Sequence, residues 1–352
     1  MMEFEVTRNY LFPFAAILAA CSADEPATDM AEPAVSSQVV VEATGGNPAA
    51  ETAASEITDP YMREIIAEIS SDAYEGRGPG SAGDKKARDY LARRMEDLGL
   101  EPGGDNGSWE QSFELVGVNA AQPDNWTFEG AAEAMTLQQW EQFIIGSGKQ
   151  QERVDVEEAE LVFVGYGMQA PEFDWDDFKD ADLEGKVLLI MNNDPDWDPE
   201  LFAGETRLWY GRWDYKYMMA GKMGAAGAII IHTTPSAGYP FQVVQTSWTG
   251  VQFELPAGDE PRTEFNACVT EDTARELVGM AGYDLDELRE QAFNSDFQPV
   301  PLGITTSIGM DVGIERTASA NVLGLLPGTD PVLKDEVVIY TAHHDHLGIC
   351  LL

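Results

Sequence analysis

Apolar residues recur at helical spacing over Ile57 to Ile69, where Ile65, Ile66 and Ile69 form a stripe. Asp59 is placed to cap this helix, and Pro60 suits its first turn. A second helix is predicted from Gly83 to Leu98, with Ala87, Tyr90, Leu91, Arg94 and Leu98 on one face and Gly99 as its stop. Between them Glu75-Gly76-Arg77-Gly78-Pro79-Gly80-Ser81 reads as a turn. Further on, short apolar runs predict strands. Leu161 to Val164 runs into the glycine turn Gly165-Tyr166-Gly167, and Lys186 to Met191 and Ala228 to His232 follow. Tyr215 to Gly224 and Glu271 to Met280 carry helical patterns. Near the end, Ser319 to Leu326 leads into the turn Pro327-Gly328-Thr329-Asp330-Pro331. Glu336 to Ala342, EVVIYTA, is rich in β-branched residues and is expected to be a buried strand. It would deliver His343-His344-Asp345-His346 at its carboxyl end, where open α/β sheets bind ligands. The pattern predicts an α/β protein with a β-rich middle.

The first residues read as an address. Leu11 to Ala20 is an apolar run too short to cross a bilayer as a helix and suited to a secretory signal, although Glu3 and Glu5 against a lone Arg8 depart from a basic start. Leu18-Ala19-Ala20-Cys21 resembles a bacterial lipobox, so Cys21 is the candidate for lipidation and a membrane anchor. Residues 22–56, rich in Ala, Glu, Pro, Ser and Thr without an apolar period, are expected to be a disordered tether. Together these predict export and lipid anchoring at the bacterial cell envelope, at the outer membrane or facing the periplasm.

Composition narrows the function. With 62 acidic and 21 basic side chains among 352 residues, the net charge of -41 excludes a nucleic-acid partner, which would need clustered Lys and Arg. The acidic surface is read as adaptation to salt, where screening removes self-repulsion. Cys21, Cys268 and Cys350 lie too far apart for a thiolate metal motif. Three of the four histidines, however, fall in one short stretch. Neutral imidazole is a common zinc ligand, and a carboxylate usually steadies its other ring nitrogen. On a strand, side chains 343 and 345 share a face. His343 is then placed to bind metal with Asp345 orienting it, while His344 points the other way. Spacing alone leaves a solvated loop as an equal reading.

Thr341-Ala342-His343-His344-Asp345-His346-Leu347-Gly348 resembles the first zinc motif of a di-zinc exopeptidase family, number twenty-eight of the metallopeptidases. That family includes bacterial leucyl aminopeptidases and glutamate carboxypeptidase. Ser319-Ala320-Asn321-Val322 and Leu326-Pro327-Gly328-Thr329-Asp330 are similar to its approach strand and turn. Glu75-Gly76-Arg77 and Gly80-Ser81-Ala82-Gly83 are similar to the entry after its first helix. Val164-Gly165-Tyr166-Gly167, Asp182-Leu183-Glu184-Gly185-Lys186-Val187 and Gly224-Ala225-Ala226-Gly227-Ala228 resemble the protease-associated (PA) domain inserted in many members. The resemblance implies a partial zinc-exopeptidase α/β domain over residues 57–125 and 296–352, interrupted by a PA domain over 126–295. It implies His343 as the first zinc ligand and Asp345 as its steadying carboxylate. Two zinc ions and peptide substrates are implied for a complete enzyme, with a carboxylate base taking the proton of a metal-activated water. The family's general base and remaining zinc ligands would follow Leu352, so none is assigned, and a chain ending there is expected to be truncated and inactive.

Other features read as structural. His232 ends an apolar strand as a satisfied core histidine, and Cys268 is an inert buried thiol. Asp194, Asp196, Asp198 and Glu205 sit at calcium-loop offsets, but Pro199 occupies the place that demands Gly. Trp197, Trp209, Tyr210, Trp213, Tyr215 and Tyr217 are read as packing aromatics. The leading expectation is a surface-anchored zinc aminopeptidase. The alternatives are a non-catalytic lipoprotein that binds peptides or partners through its PA domain, and a mononuclear metal-binding protein.

Overall fold

The computed structural model describes residues 48–349. The predicted signal, Cys21, the tether up to residue 47 and Cys350 lie outside the described residues. The chain divides into two compact units, 1–59 and 60–352. In the first, Pro48–Ala54 forms a short helix, α1, in a stretch expected to be disordered. Its Ala-rich sequence and leading proline favour a helix even with its described side chains exposed. No helix among the described residues is long and apolar enough to cross a membrane.

The second unit begins within α2 (Asp59–Ile69). Its half-buried stripe is Tyr61, Ile65 and Ile69, whereas Ile66 is 56% exposed, contrary to the predicted stripe. Then come α3 (Ala82–Asp97), β1 (Glu101–Pro102) and β2 (Glu110–Ala120). The middle of the chain contributes β3 (Asn125–Glu129), β4 (Ala134–Gln138), β5 (Phe143–Ser147), β6 (Arg153–Phe163), β7 (Gln169–Ala170), β8 (Trp175–Asp176) and β9 (Val187–Met191). It continues through α4 (Trp213–Lys222), β10 (Gly227–His232), α5 (Thr234–Ala237), α6 (Phe241–Ser247), β11 (Gln252–Glu254) and β12 (Phe265–Thr270). Helices α7 (Glu271–Met280) and α8 (Leu285–Ala292) precede the long β13 (Val300–Val322) and the short β14 (Gly324–Leu325).

The fold is α/β, as the sequence predicts, built on one mixed sheet in the order β11-β2-β13-β6-β9-β10-β12-β5. Strands β6, β9, β10 and β12 run parallel. All residues of β9 and β10 are buried, as continuous apolar runs in a parallel sheet require. Strand β13 joins two regions of the sheet. Its first half pairs with β6 and its second half with β2. Leu302, Ile304, Ile308, Met310 and Val312 alternate along it into the core. Trp126 anchors that core, with the rings of Phe143 and Phe265 edge-on at 5.5 and 5.3 Å.

One predicted element does not form. Glu336 to Ala342 takes no strand pairing, and Val337, Val338, Ile339 and Tyr340 are 73–94% exposed. β-Branched side chains favour extended backbone, but a strand exists only where a neighbour supplies its ladder. No such neighbour pairs with these residues among those described, so the histidines do not emerge from a buried strand.

Candidate functional site

The N-terminus of α3 is where distant parts of the chain meet. Ser81 caps the helix, its hydroxyl accepting from the Asp84 N–H at 3.2 Å. The helix face turned inward here is Gly83, Asp84, Ala87 and Arg88, whereas the predicted face included Leu98, which is 66% exposed. Gly83 packs so tightly that a Cβ would lie 1.8 Å from the Tyr74 carbonyl oxygen.

Asp84 is fully buried and collects four donors. One oxygen accepts from the Gly80 N–H at 3.1 Å and the Ser319 hydroxyl at 3.0 Å. The other accepts from Arg88 Nε at 3.3 Å and His344 Nε2 at 3.0 Å. Burial alone would raise the Asp84 carboxyl, but the His344 bond, the Arg88 charge, and the Ser319 and Gly80 bonds outweigh it and hold it below the usual carboxylate value. Arg88 also reaches the half-buried Glu110, so a chain of polar contacts runs from β2 through buried Arg88 and Asp84 to the histidine segment.

The turn over 75–81 grips that segment from the other side. Arg77 Nε donates to the His344 carbonyl at 2.9 Å. The His346 N–H donates to the Arg77 carbonyl at 3.0 Å and the Gly348 N–H to the Gly76 carbonyl at 3.0 Å. Gly76, at φ 63°, approaches so closely that a Cβ there would sit 2.2 Å from the Gly348 oxygen. The turn and the histidine motif, more than 260 residues apart in sequence, thus form one structure.

His344 points inward and His343 outward. The His343 ring is exposed, with Nδ1 3.0 Å from the Asp345 carbonyl oxygen and 3.7 Å from its carboxylate. Asp345 therefore lies beside His343, touching it through its backbone carbonyl. Because a carbonyl only accepts, Nδ1 is the donor in this contact, and in the neutral ring that tautomer leaves Nε2 as the atom that can bind zinc. Zinc needs three or four protein donors. No group of three or more His, Cys, Asp or Glu that could hold a metal occurs among the described residues. His343 and Asp345 do not make a zinc centre by themselves.

The remaining candidates are occupied by structural work. Asp194 accepts from the Leu208 N–H at 2.9 Å, Asp198 from the Glu200 N–H at 2.9 Å, and Asp196 from Asn193 at 3.2 Å, bonds that tie the acidic turn to its own loop. His232 is buried against Tyr239 and Phe241, and burial lowers its pKa, but its Nε2 has no hydrogen-bond partner among the described residues, so it is not the fully satisfied core histidine expected. Burial pushes the Cys268 thiol up to about 12, consistent with an inert residue. The aromatics pack edge-on against one another, for example Tyr210 on Tyr215 at 5.3 Å and Trp213 on Tyr217 at 6.0 Å. Sequence reasoning missed Asp84 and Arg88, and noted Arg77 and Ser319 only as parts of motifs. The available signal was a pair of charges, four residues apart, on the inner face of α3.

No family model matches the sequence, and no curated protein matches it. Solved structures that are similar at low identity include the following three. An aminopeptidase from Aneurinibacillus sp. strain AM-1 is 19% identical over 77% of this chain and 49% of its own, with a TM-score of 0.37. A zinc aminopeptidase from Bacillus subtilis is 16% identical over 77% and 47%, with a TM-score of 0.28. A peptidase M28 precursor from Shewanella amazonensis is 13% identical over 75% and 53%, with a TM-score of 0.30. The chain spans about half the length of these structures. At these TM-scores its chemistry has to be read from its own side chains.

Proposed function

We propose that this chain carries one arm of a metal-dependent hydrolase site. The particular reading is an exopeptidase of the aminopeptidase type, acting on peptides, with His343 as its first zinc ligand. The observation that carries the proposal is the clasp between the 75–84 region and the 343–348 segment. Two motifs that resemble the same enzyme family, far apart in sequence, are fastened together by Asp84 and Arg77. His344 and the backbone take part in that fastening, and the His343 ring is exposed, with Nδ1 against the Asp345 carbonyl. Asp345 steadies the ring from its peptide oxygen. We further place the protein at the bacterial envelope, anchored through lipid on Cys21, with no nucleic-acid partner.

Metal content and turnover test this reading. The purified chain is expected to bind fewer than two zinc ions per molecule and to release no amine from aminoacyl anilides, because the described residues supply too few donors. Turnover abolished by a chelator would contradict the expected inactivity. Zinc uptake unchanged by His343→Ala would contradict the ligand assignment.

A further inference from the structure

A second polar cluster lies far from the histidine motif in sequence. Strands β6, β9 and β10 are parallel, and beyond β9 and β10 their carboxyl ends continue into Asn192 and Thr233. Helix α4 packs on β10, and its Lys216 is fully buried. The Lys216 Nζ has no hydrogen-bond partner and stands 5.9 Å from the ring centres of both Tyr166 and Tyr215. Asp177 and Asp194, each 1% exposed, attract its charge, and Arg207 opposes it.

The two carboxylates differ. Both Asp177 oxygens are engaged, accepting from the Met168 N–H at 3.2 Å and from Trp175 Nε1 at 2.9 Å. Asp194 accepts from the Leu208 N–H through one oxygen, while its other oxygen is buried without a partner. The Asn192 side-chain oxygen is also buried without one. A buried ammonium lacking hydrogen bonds is destabilising, and an apolar chain of similar length would fit this aromatic setting better. Stability therefore does not account for Lys216.

The polarity of these atoms selects a ligand. Lys216 offers only donors, whereas Asp194 Oδ1 and Asn192 Oδ1 offer only acceptors. An anion would meet Asp177 and Asp194, and a cation would meet Lys216 and Arg207. A neutral hydroxylic molecule both accepts from the ammonium and donates to the two oxygens, and two to four polar partners suffice to hold one. We propose that Lys216, Asp194 and Asn192 form a buried site for one neutral hydroxylic molecule of water's size, which fastens the loop over residues 192–212 to α4. The loop is also held by the Asp194–Leu208 bond, by Arg207, which donates to Asn193 at 2.9 Å and to the Ser236 carbonyl, by the Tyr210 hydroxyl on Glu172, and by the Phe202 ring against Phe173 and Trp175.

A high-resolution crystal structure of the full chain should show one density peak within hydrogen-bonding distance of Lys216 Nζ, Asp194 Oδ1 and Asn192 Oδ1. A direct Lys216–Asp194 ion pair, or a bound ion, would overturn the proposal. Lys216→Met gives a second measurement. Oxygen-17 relaxation should lose one long-lived internal water. Trypsin should cut after Arg207 several-fold faster. An unchanged water count with unchanged cleavage would refute the site. If Lys216→Met does not fold, the crystal structure of the unaltered chain decides alone.

Discussion

Replacing Asp84 with alanine isolates the clasp. The carboxylate is fully buried and receives donors from Gly80, Ser319, Arg88 and His344. Alanine strands the Gly80 N–H and the Ser319 hydroxyl and leaves Arg88 with Glu110 alone. Removing one partner of a buried ion pair costs about 3–5 kcal/mol. Because Asp84 is inaccessible to solvent, no screening discount applies. A melting temperature shifts by about 2–4 °C per kcal/mol for domains of about 150–250 residues, so a fall of about 6–20 °C is expected. Asp84→Asn retains the shape but turns an amide donor toward Arg88 or His344, with an expected cost of about 1–3 kcal/mol. The assay pairs urea unfolding, read from the midpoint at constant slope, with amide exchange at His346 and Gly348, whose N–H groups bond to Arg77 and Gly76. Exchange there should accelerate more than in β9 or β10. A loss below about 1 kcal/mol would refute the account of Asp84 as the hub, since even one buried unsatisfied group costs that much. So would a large loss with unaltered exchange at those two amides.

Other predictions concern separate regions. Burial raises Asp177 from 3.8 to about 7, so the folded chain holds a proton there that the unfolded chain lacks, and stability falls as pH rises from about 4 to 7. Burial lowers Lys216 from 10.5 to about 7, so above 7 the unfolded chain holds the extra proton and stability recovers as pH rises. This pair should therefore add a stability minimum near neutral pH, and Lys216→Met, which leaves Asp177 buried without its counter-charge, should remove the recovery above 7. An unchanged pH profile in the variant would contradict the assignment. Gly76→Ala places a side chain at φ 63° and 2.2 Å from the Gly348 oxygen. It should cost about 1–3 kcal/mol and release the 343–348 amides to exchange, and equal protection would contradict the clasp. Ile339→Lys acts on a 75% exposed position in the unpaired apolar segment. It should reduce aggregation by light scattering while leaving stability within about 0.5 kcal/mol, and a larger loss would mean the segment is packed.

The parts of the fold that were legible in sequence were those whose pattern is local. Lys186 to Met191 and Ala228 to His232 are continuous apolar runs, and they became β9 and β10. Glu271 to Met280 was read as a helix and is one, with Thr270 capping it through the Thr273 N–H. The first half of β13 went unread although its residues alternate from Leu302 to Val312, because glycines, threonines and serine on the outer positions masked the period. Glu336 to Ala342 had strand composition but no ladder partner, a tertiary condition that composition does not carry. At the candidate site the histidines and the Gly-rich turn were visible as motifs. Their fastening was not, because Asp84 and Arg88 look like ordinary surface charges until Ser319 and His344 arrive from the far end of the chain. Lys216 was hidden the same way, its burial following from the loops that carry Asp177 and Asp194.

The central claim is that the clasp turns His344 inward and offers His343 to metal. The chain has four histidines, so the imidazole signals of a nitrogen-labelled sample can be assigned by single substitutions and followed during zinc titration. The His343 signals should shift first, through Nε2, with His344 unmoved while Asp84 holds it, and His343→Ala should abolish the response. Zinc that first perturbs His344 or His232, or that leaves His343 unchanged, would contradict the claim.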